Sequence, residues 1–155
     1  MISLFYRKIY IWALFSFYDM VQQIILRNLQ RPKKGNVYED IEWLGNSLGF
    51  VNGRDTEKMA NQILLSVLDE FAKEGSVSSE QIARELNVAL QRVNYHIRSL
   101  IDSGFLYRDR KLIFLRQGSV KSAVEEMRRD ANRTFDNLSM IAEEIDQTLG
   151  LKNRP

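Results

Sequence analysis

The chain has 155 residues, of which 45% are hydrophobic and 27% charged, with two prolines and eight glycines. These values fit one small domain with helical extensions, and they exclude a disordered or fibrous chain. The formal net charge of +2 is too small to indicate nucleic-acid binding by itself, and the lack of cysteine excludes disulfides and thiolate metal sites.

Residues 1–30 are dense in aromatic and apolar side chains on nearly every side of a predicted helix. Arg7 and Lys8 precede the apolar run and Asp19 and Gln22 interrupt it, whereas a membrane span needs roughly 20 uncharged residues. No small-residue cleavage site follows the run, as a secretory signal would require. The sequence favours a helix buried in a subunit interface, with attachment to a membrane surface, a span or a signal as alternatives.

Proline, glycine and three positive charges at residues 31–36 predict a break. Apolar residues at helical spacing then predict a short amphipathic helix within residues 38–50: Ile41, Trp43, Leu44 and Leu48. Asp55 or Thr56 is the expected N-cap of the next helix, which should end at Gly75. This helix is expected to close the core through Met59, Ile63, Leu64, Val67, Leu68 and Phe71.

Residues 76–117 predict a helix, a tight turn, a second helix and a short basic hairpin. Ser78 is the expected N-cap of the first helix, with Gln81 placed to complete a capping box. Asn87 follows the last turn of that helix, where a residue tolerating positive φ is needed. The apolar positions of the two helices predict a shared buried side: Ile82, Ala83, Leu86, Val93, Ile97 and Leu100.

The hairpin is expected after Gly104, which is placed to end the second helix. Residues 105–107 should pair with residues 112–114 across a polar tip at residues 108–111. From residue 88 to residue 118 there are six basic and two acidic residues, a net charge of +4. Residues 119–149 carry four basic and seven acidic residues, a net charge of −3. The positive charge is therefore concentrated in the helix and hairpin.

These residues resemble the winged helix-turn-helix of ArsR- and MarR-type transcription regulators, over roughly residues 57–117. The resemblance is carried by Ile82-Ala83, Leu86-Asn87-Val88, Tyr95-His96-Ile97, Leu100 and Ser103-Gly104-Phe105-Leu106. It implies a dimer on a pseudo-palindromic operator, with one recognition helix per half-site in the major groove and the wings on flanking DNA. Many ArsR-type proteins sense metals through cysteine, and this chain departs from them because it has none.

The second helix carries side chains that can read DNA. Gln and Asn bond adenine bidentately and Arg bonds guanine, so Gln91, Arg92 and Asn94 near its start are expected in the major groove. We expect Tyr95 on a sugar or thymine methyl group and Arg98 on a phosphate. The basic residues of the hairpin are expected on the DNA backbone or in the minor groove: Arg108, Arg110 and Lys111.

From Ser119 to Leu149 a helical pattern runs without proline or glycine. Spacings of three and four predict a heptad seam: Val120, Val124, Met127, Ala131, Thr134, Leu138, Ile141, Ile145 and Thr148. A helix of about 30 residues spans about 45 Å, too long to bury a continuous stripe on so small a domain. We expect it to pair with the same helix of a second subunit, with the N-terminal helix, or with both; folding back along its own domain is the alternative.

The sequence shows no pattern typical of an enzyme, since it has no phosphate-binding glycine loop and no cluster at metal-ligand spacing. The single histidine, His96, is expected to be structural or to contact a phosphate, and no cofactor or metal is predicted.

The predicted fold is mainly α with a small β-hairpin wing. Residues 1–53 form an N-terminal helical extension for dimerisation, residues 54–118 a winged helix-turn-helix DNA-binding domain, and residues 119–150 a long C-terminal dimerisation helix. We expect a cytoplasmic homodimer that binds double-stranded DNA sequence-specifically and regulates transcription. The alternatives are a winged-helix module for protein interaction and a regulator tethered to a membrane through its N-terminal helix.

Overall fold

The computed structural model describes residues 21–33, 35–51 and 58–154. Within these ranges the chain forms five α-helices and one two-stranded antiparallel hairpin, which confirms the predicted fold class. The elements are α1 (Val37–Ser47), α2 (Met59–Glu74), α3 (Ser79–Leu86), α4 (Leu90–Asp102), β1 (Leu106–Asp109), β2 (Leu112–Leu115), a 3₁₀ turn (Arg116–Gly118) and α5 (Val120–Leu149). Among the described residues, no helix is both long and apolar enough to cross a membrane.

One apolar core joins the helices to the hairpin. Its fully buried side chains come from α2, α3, α4, the hairpin and the residue just before it, Phe105, and include Ile63, Leu64, Val67, Ile82, Val93, Ile97 and Ile113. Helix α1 packs against α2, and the chain after it brings the Phe50 ring to 5.6 Å from that of Phe105. Met127 of α5 closes the same core. The predicted buried sides of α2, α3 and α4 are therefore confirmed.

The ends of the central helices follow the predicted signals in part. Helix α2 ends at Gly75, whose φ of 75° suits a left-handed C-cap, while the predicted caps Asp55 and Thr56 lie outside the described residues. The Ser78 hydroxyl caps α3 by accepting from the Gln81 backbone N–H at 3.1 Å. The Gln81 side chain was expected to complete the capping box but instead donates to the Glu70 carboxylate at 2.6 Å, because a charged acceptor of α2 lies within reach.

The hairpin has a shorter turn than predicted. Leu106 lies opposite Leu115 and Asp109 opposite Leu112, so the expected pairing of residues 105–107 with residues 112–114 is wrong by two residues. Only Arg110 and Lys111 form the turn, with Arg110 at a positive φ of 57°. Two-residue turns with positive φ match the twist of the flanking strands, and the pairing therefore extends beyond the expected tip.

Residues 21–33 have no regular secondary structure, so the helix predicted through Gln30 is wrong for residues 21–30. The Gln23 N–H donates to the Asp102 carbonyl at 2.9 Å, and the Arg27 N–H donates to the Ser47 carbonyl at 2.8 Å. Both acceptors lie at helix ends, where carbonyls lack a partner in their own helix. Docking on these carbonyls competes with helix formation in the segment. Residues 1–20, the rest of the predicted helix, lie outside the described ranges.

Helix α5 has the predicted bounds. The Ser119 hydroxyl accepts from the Ser122 N–H at 3.1 Å, and Gly150 ends the helix at φ 65°. Ala123, Met127 and Asp130 are buried, but every described residue after Ala131 is exposed. The exposed side chains include six large apolar ones: Phe135, Leu138, Met140, Ile141, Ile145 and Leu149. Within the described chain, the second half of the seam therefore does not fold back on its own domain.

Candidate nucleic-acid interface

Helix α4 packs against the core with one face and exposes a polar face to solvent. Val93, Ile97 and Leu100 fill the core side with at most 2% of their surface exposed. The five side chains predicted to read DNA lie on the remaining surface: Gln91, Arg92, Tyr95 and Arg98 are exposed and Asn94 is half-buried. The structure thus places this predicted set on one helix, next to the hairpin.

The tight turn before α4 sets the crossing of the two helices. Asn87 adopts φ 51° and ψ 50°, which confirms the predicted left-handed residue. The Val88 N–H donates to the Ala83 carbonyl at 3.0 Å, and Leu86 and Val88 pack against the core. Asparagine tolerates this conformation better than other residues with a Cβ. The short connection therefore fixes the direction in which α4 leaves α3.

Arg108 connects the wing to both helices. Its guanidinium donates to the Ser79 hydroxyl at 3.2 Å and to the Asn94 side-chain oxygen at 3.3 Å. Arg108 was expected at the hairpin tip, but it lies within β1, while Arg110 and Lys111 form the exposed tip. Ser79 was not selected from the sequence, since a serine after an N-cap has no distinguishing pattern. The structure brings Arg108 and Asn94 together as a bonded pair.

Two pairs of aromatic rings are in contact at this surface. Tyr107 stacks on Phe114 across the hairpin, with ring centres 5.2 Å apart and planes 15° apart. Tyr95 meets the His96 ring edge to face at 5.2 Å. His96 is 9% exposed, and this burial favours a structural role for the side chain over contact with a phosphate.

Arg116 does not share the exposed basic surface. It was counted with the positive charge of the helix and hairpin, but its guanidinium lies 2.5 Å from the Asp130 carboxylate and 3.5 Å from Glu126. The hydrogen bond to Asp130 raises the pKa of Arg116, and the nearby carboxylate charges add to this against the effect of burial. Of the six basic residues between residues 88 and 118, the other five are exposed: Arg92, Arg98, Arg108, Arg110 and Lys111.

A group of three carboxylates lies between α2 and α3. Oxygen atoms of Asp69, Glu70 and Glu85 come within 4.8 Å of one another. Lys73 donates to Asp69 at 2.7 Å, and Ser66 donates to Glu85 at 2.9 Å. The Gln81 amide also donates to the Glu70 carboxylate. Each carboxylate therefore has a hydrogen-bond partner within the protein, and we regard the group as part of the contact between α2 and α3.

Comparison with known proteins agrees with this geometry. Residues 61–107 match the family model described as winged helix-turn-helix DNA-binding. The matched range starts in α2 and ends in β1, so it contains the turn, the whole of α4 and the start of the wing. No curated protein matches the chain. Fold and family match together support one class of protein, a DNA-binding regulator with a winged helix-turn-helix.

Proposed function

We propose that the protein is a homodimeric transcription regulator that binds double-stranded DNA sequence-specifically. Helix α4 would enter the major groove of each half-site, and the wing would contact flanking DNA. The observation that carries this proposal is the exposed polar face of α4 beside a basic two-residue wing tip, within a region that matches a DNA-binding family model. The resemblance to ArsR- and MarR-type regulators supports the dimeric mode of binding.

The chemistry of each position suggests its role. Gln91 and Arg92 in the first turn of α4 suit base edges, because amide and guanidinium groups bond adenine and guanine bidentately. Arg98 two turns later suits a phosphate, and Arg110 and Lys111 at the tip suit the backbone or minor groove. Arg108 and Asn94 are bonded to each other, and we assign the pair to the junction between groove and wing.

The second half of α5, residues 131–149, which we call the projecting half, supports the dimer. Six large apolar side chains between residues 135 and 149 are at least 48% exposed. A continuous apolar stripe of this kind is rare on a monomer and marks an interaction surface. Residues 119–149 carry a net charge of −3, which disfavours contact with DNA phosphates. We assign this half to the second subunit.

The proposed activity is binding rather than catalysis, without a cofactor or metal and in the cytoplasm. The side chains on the α4 face are amides, guanidiniums and a phenol, which recognise groups by hydrogen bonding. None of them requires a metal for that role.

Fluorescence anisotropy across a salt series tests the proposal, with a random duplex and the promoter region of the protein's own gene. Wild type should prefer the promoter and weaken steeply with salt, with a slope of about −0.9 per phosphate contact. The Arg92→Ala, Arg110→Ala variant should lose about 1–3 kcal/mol of base discrimination and flatten the slope by about one unit.

The Arg128→Ala, Arg129→Ala variant is the matched control, because it removes two exposed positive charges from α5 instead. It should bind DNA like wild type. Equal loss in both variants would show that total charge rather than the α4 face drives binding. Absence of wild-type binding at low salt would remove the proposal and favour a winged-helix module that binds a protein.

A further inference from the structure

Asp130 lies at a junction of four segments of the chain. The segments are residues 21–23, the end of α4, the 3₁₀ turn after the wing, and α5 itself. Only 6% of the Asp130 side chain is exposed. No described residue of α5 after Asp130 is buried, since Ala131 is half-buried and residues 132–149 are all exposed. The junction therefore stands where the DNA-reading domain meets the projecting half of α5.

Both carboxylate oxygens of Asp130 are bonded. One oxygen accepts from the Arg116 guanidinium at 2.5 Å and from the Gln22 amide at 2.7 Å. The other accepts from Arg133, one turn further along α5, and more distantly from Arg116 at 3.5 Å. Gln22 stands 108 residues away in the chain, so these bonds exist only in the folded protein.

The donors that bond Asp130 also bond the chain just after the recognition helix. The Gln22 amide donates to the Ser103 carbonyl at 3.1 Å, and Arg116 donates to the Gly104 carbonyl at 3.4 Å. A Cβ at Gly104 would lie 2.5 Å from the Gln22 amide nitrogen and 2.9 Å from Arg116. Glycine is therefore required for this approach, and the end of α4 is connected to α5 through two shared side chains.

Asp130 keeps its negative charge although it is buried. Burial raises its pKa, but the hydrogen bonds from Arg116 and Gln22, together with the charges of Arg116 and Arg133, outweigh burial and hold the pKa below its usual range. A buried charge is tolerated only while its partners stay in place, because moving one away leaves the charge unpaired. The junction therefore resists tilting of α5 against α4.

A small tilt would matter at the far end of α5. From Asp130 to Leu149 the helix extends about 28 Å, so a tilt of about 10° moves its end by about 5 Å. That displacement exceeds one base-pair step, about 3.4 Å along the duplex. In a dimer built on the projecting half, the separation of the two recognition helices follows this angle.

We propose that Asp130 is a positioning residue that holds α4 and the projecting half of α5 at one angle and thereby sets the half-site spacing that the dimer accepts. This inference rests on the proposed function. The charge at residue 130 acts on geometry, through Arg116 and Gln22, and does not touch DNA. Its loss should relax spacing while the sequence read in each half-site stays the same.

Selection of binding sites from duplexes with a long random segment provides the first test. Wild type should select one half-site sequence at one spacing. Asp130→Asn should select the same half-site over several spacings, with reduced preference for the wild-type spacing. Asp136→Asn is the matched control, because it makes the same change at an exposed position of α5. A single unchanged spacing in Asp130→Asn would overturn the inference.

A distance measurement tests the same idea without DNA. The chain lacks cysteine, so spin labels can be attached at Arg84→Cys on α3 and Gln147→Cys on α5. The doubly labelled chain is diluted with unlabelled protein, and pulsed electron resonance then reports the distance within one subunit. Wild type should give a narrow distribution that Asp130→Asn broadens and Asp136→Asn does not.

The outcomes separate the inference from the proposed function. Broadening by Asp130→Asn in a protein that binds no DNA would support the positioning role and reject the regulator. Normal DNA binding with an unbroadened distance would reject the positioning role alone. If Asp130→Asn does not fold, Gln22→Ala serves instead, since it keeps the ion pair and removes one shared donor; an unbroadened distance in that variant would overturn the inference.

Discussion

The two halves of helix α5 share one heptad pattern and have opposite surroundings. In the attached half, residues 120–130, Met127 is 3% exposed and belongs to the core of the domain. In the projecting half, residues 131–149, Leu138 and Ile145 of the same seam are 58% and 48% exposed. An apolar period therefore predicts that a helix face will be covered, but it does not say which surface covers it.

The difference follows from size. A 30-residue helix is about 45 Å long, and the domain covers only its first turns. Burying a large apolar side chain contributes about 1.5–3 kcal/mol, so the projecting half holds a large unused driving force for association. We infer that the attached half stabilises the fold of one chain and the projecting half stabilises the assembly.

The largest expected effect comes from placing charge on the projecting half. The double variant Leu138→Asp, Ile145→Asp removes four apolar side chains from the dimer, two in each subunit. At about 1.5 kcal/mol or more for each, the free energy of association should weaken by about 6 kcal/mol or more. Sedimentation equilibrium should then show a monomer at concentrations where wild type is a dimer. Asn132→Asp, Asn137→Asp is the control, because it adds the same charge at two exposed polar positions of this half. A variant that remains dimeric would place the interface elsewhere.

Truncating one methionine in each half of α5 compares the two halves directly. Met127→Ala in the attached half should lower the free energy of unfolding by about 2–5 kcal/mol, because it opens a cavity in the core. In the monomeric Leu138→Asp, Ile145→Asp background, Met140→Ala in the projecting half, where the side chain is 63% exposed, should change it by no more than about 0.5 kcal/mol. Urea unfolding at one fixed protein concentration measures both. Equal losses would mean that both halves belong to one folding core.

The smallest expected effect is the pH dependence at the boundary between the halves. Because the folded-state pKa of Asp130 is lowered, its charge contributes stability that is fully present above the unfolded-state pKa of about 3.9. That contribution is lost as the pH falls through the folded-state pKa. Wild type should therefore exceed Asp130→Asn in unfolding free energy near pH 7, and the gap should shrink below about pH 4. A gap independent of pH would show that the carboxylate charge does not stabilise the junction.

Local signals in the sequence were sufficient for the helix-turn-helix. The Ser78 cap, the left-handed Asn87 and the buried stripe of α4 each depend on residues within one or two turns, and all three are confirmed. The exposed polar face of α4 follows from the same period. Its contact with DNA stays a prediction, as do the dimer and the limits of the three predicted parts of the chain.

Features that depend on distant partners were missed. The hairpin register depends on a turn type that the polar run at residues 108–111 leaves open. Residues 21–30 have the composition of a helix, yet carbonyls at the ends of α1 and α4 bind their backbone instead. Arg116 was grouped with the DNA-facing charge because nothing near it in the chain identifies Asp130 as its partner.

The amino-acid order alone specified where α3, α4 and α5 begin and end, which of their faces are apolar and which side chains carry groups able to bond a base, because these properties have a short range along the chain. Folding in three dimensions settled which half of α5 is covered, where Arg108 and Arg116 point, and how Gln22 reaches Asp130. Those contacts join residues far apart in the chain, and their energies depend on burial and on exact partners that periodicity does not encode.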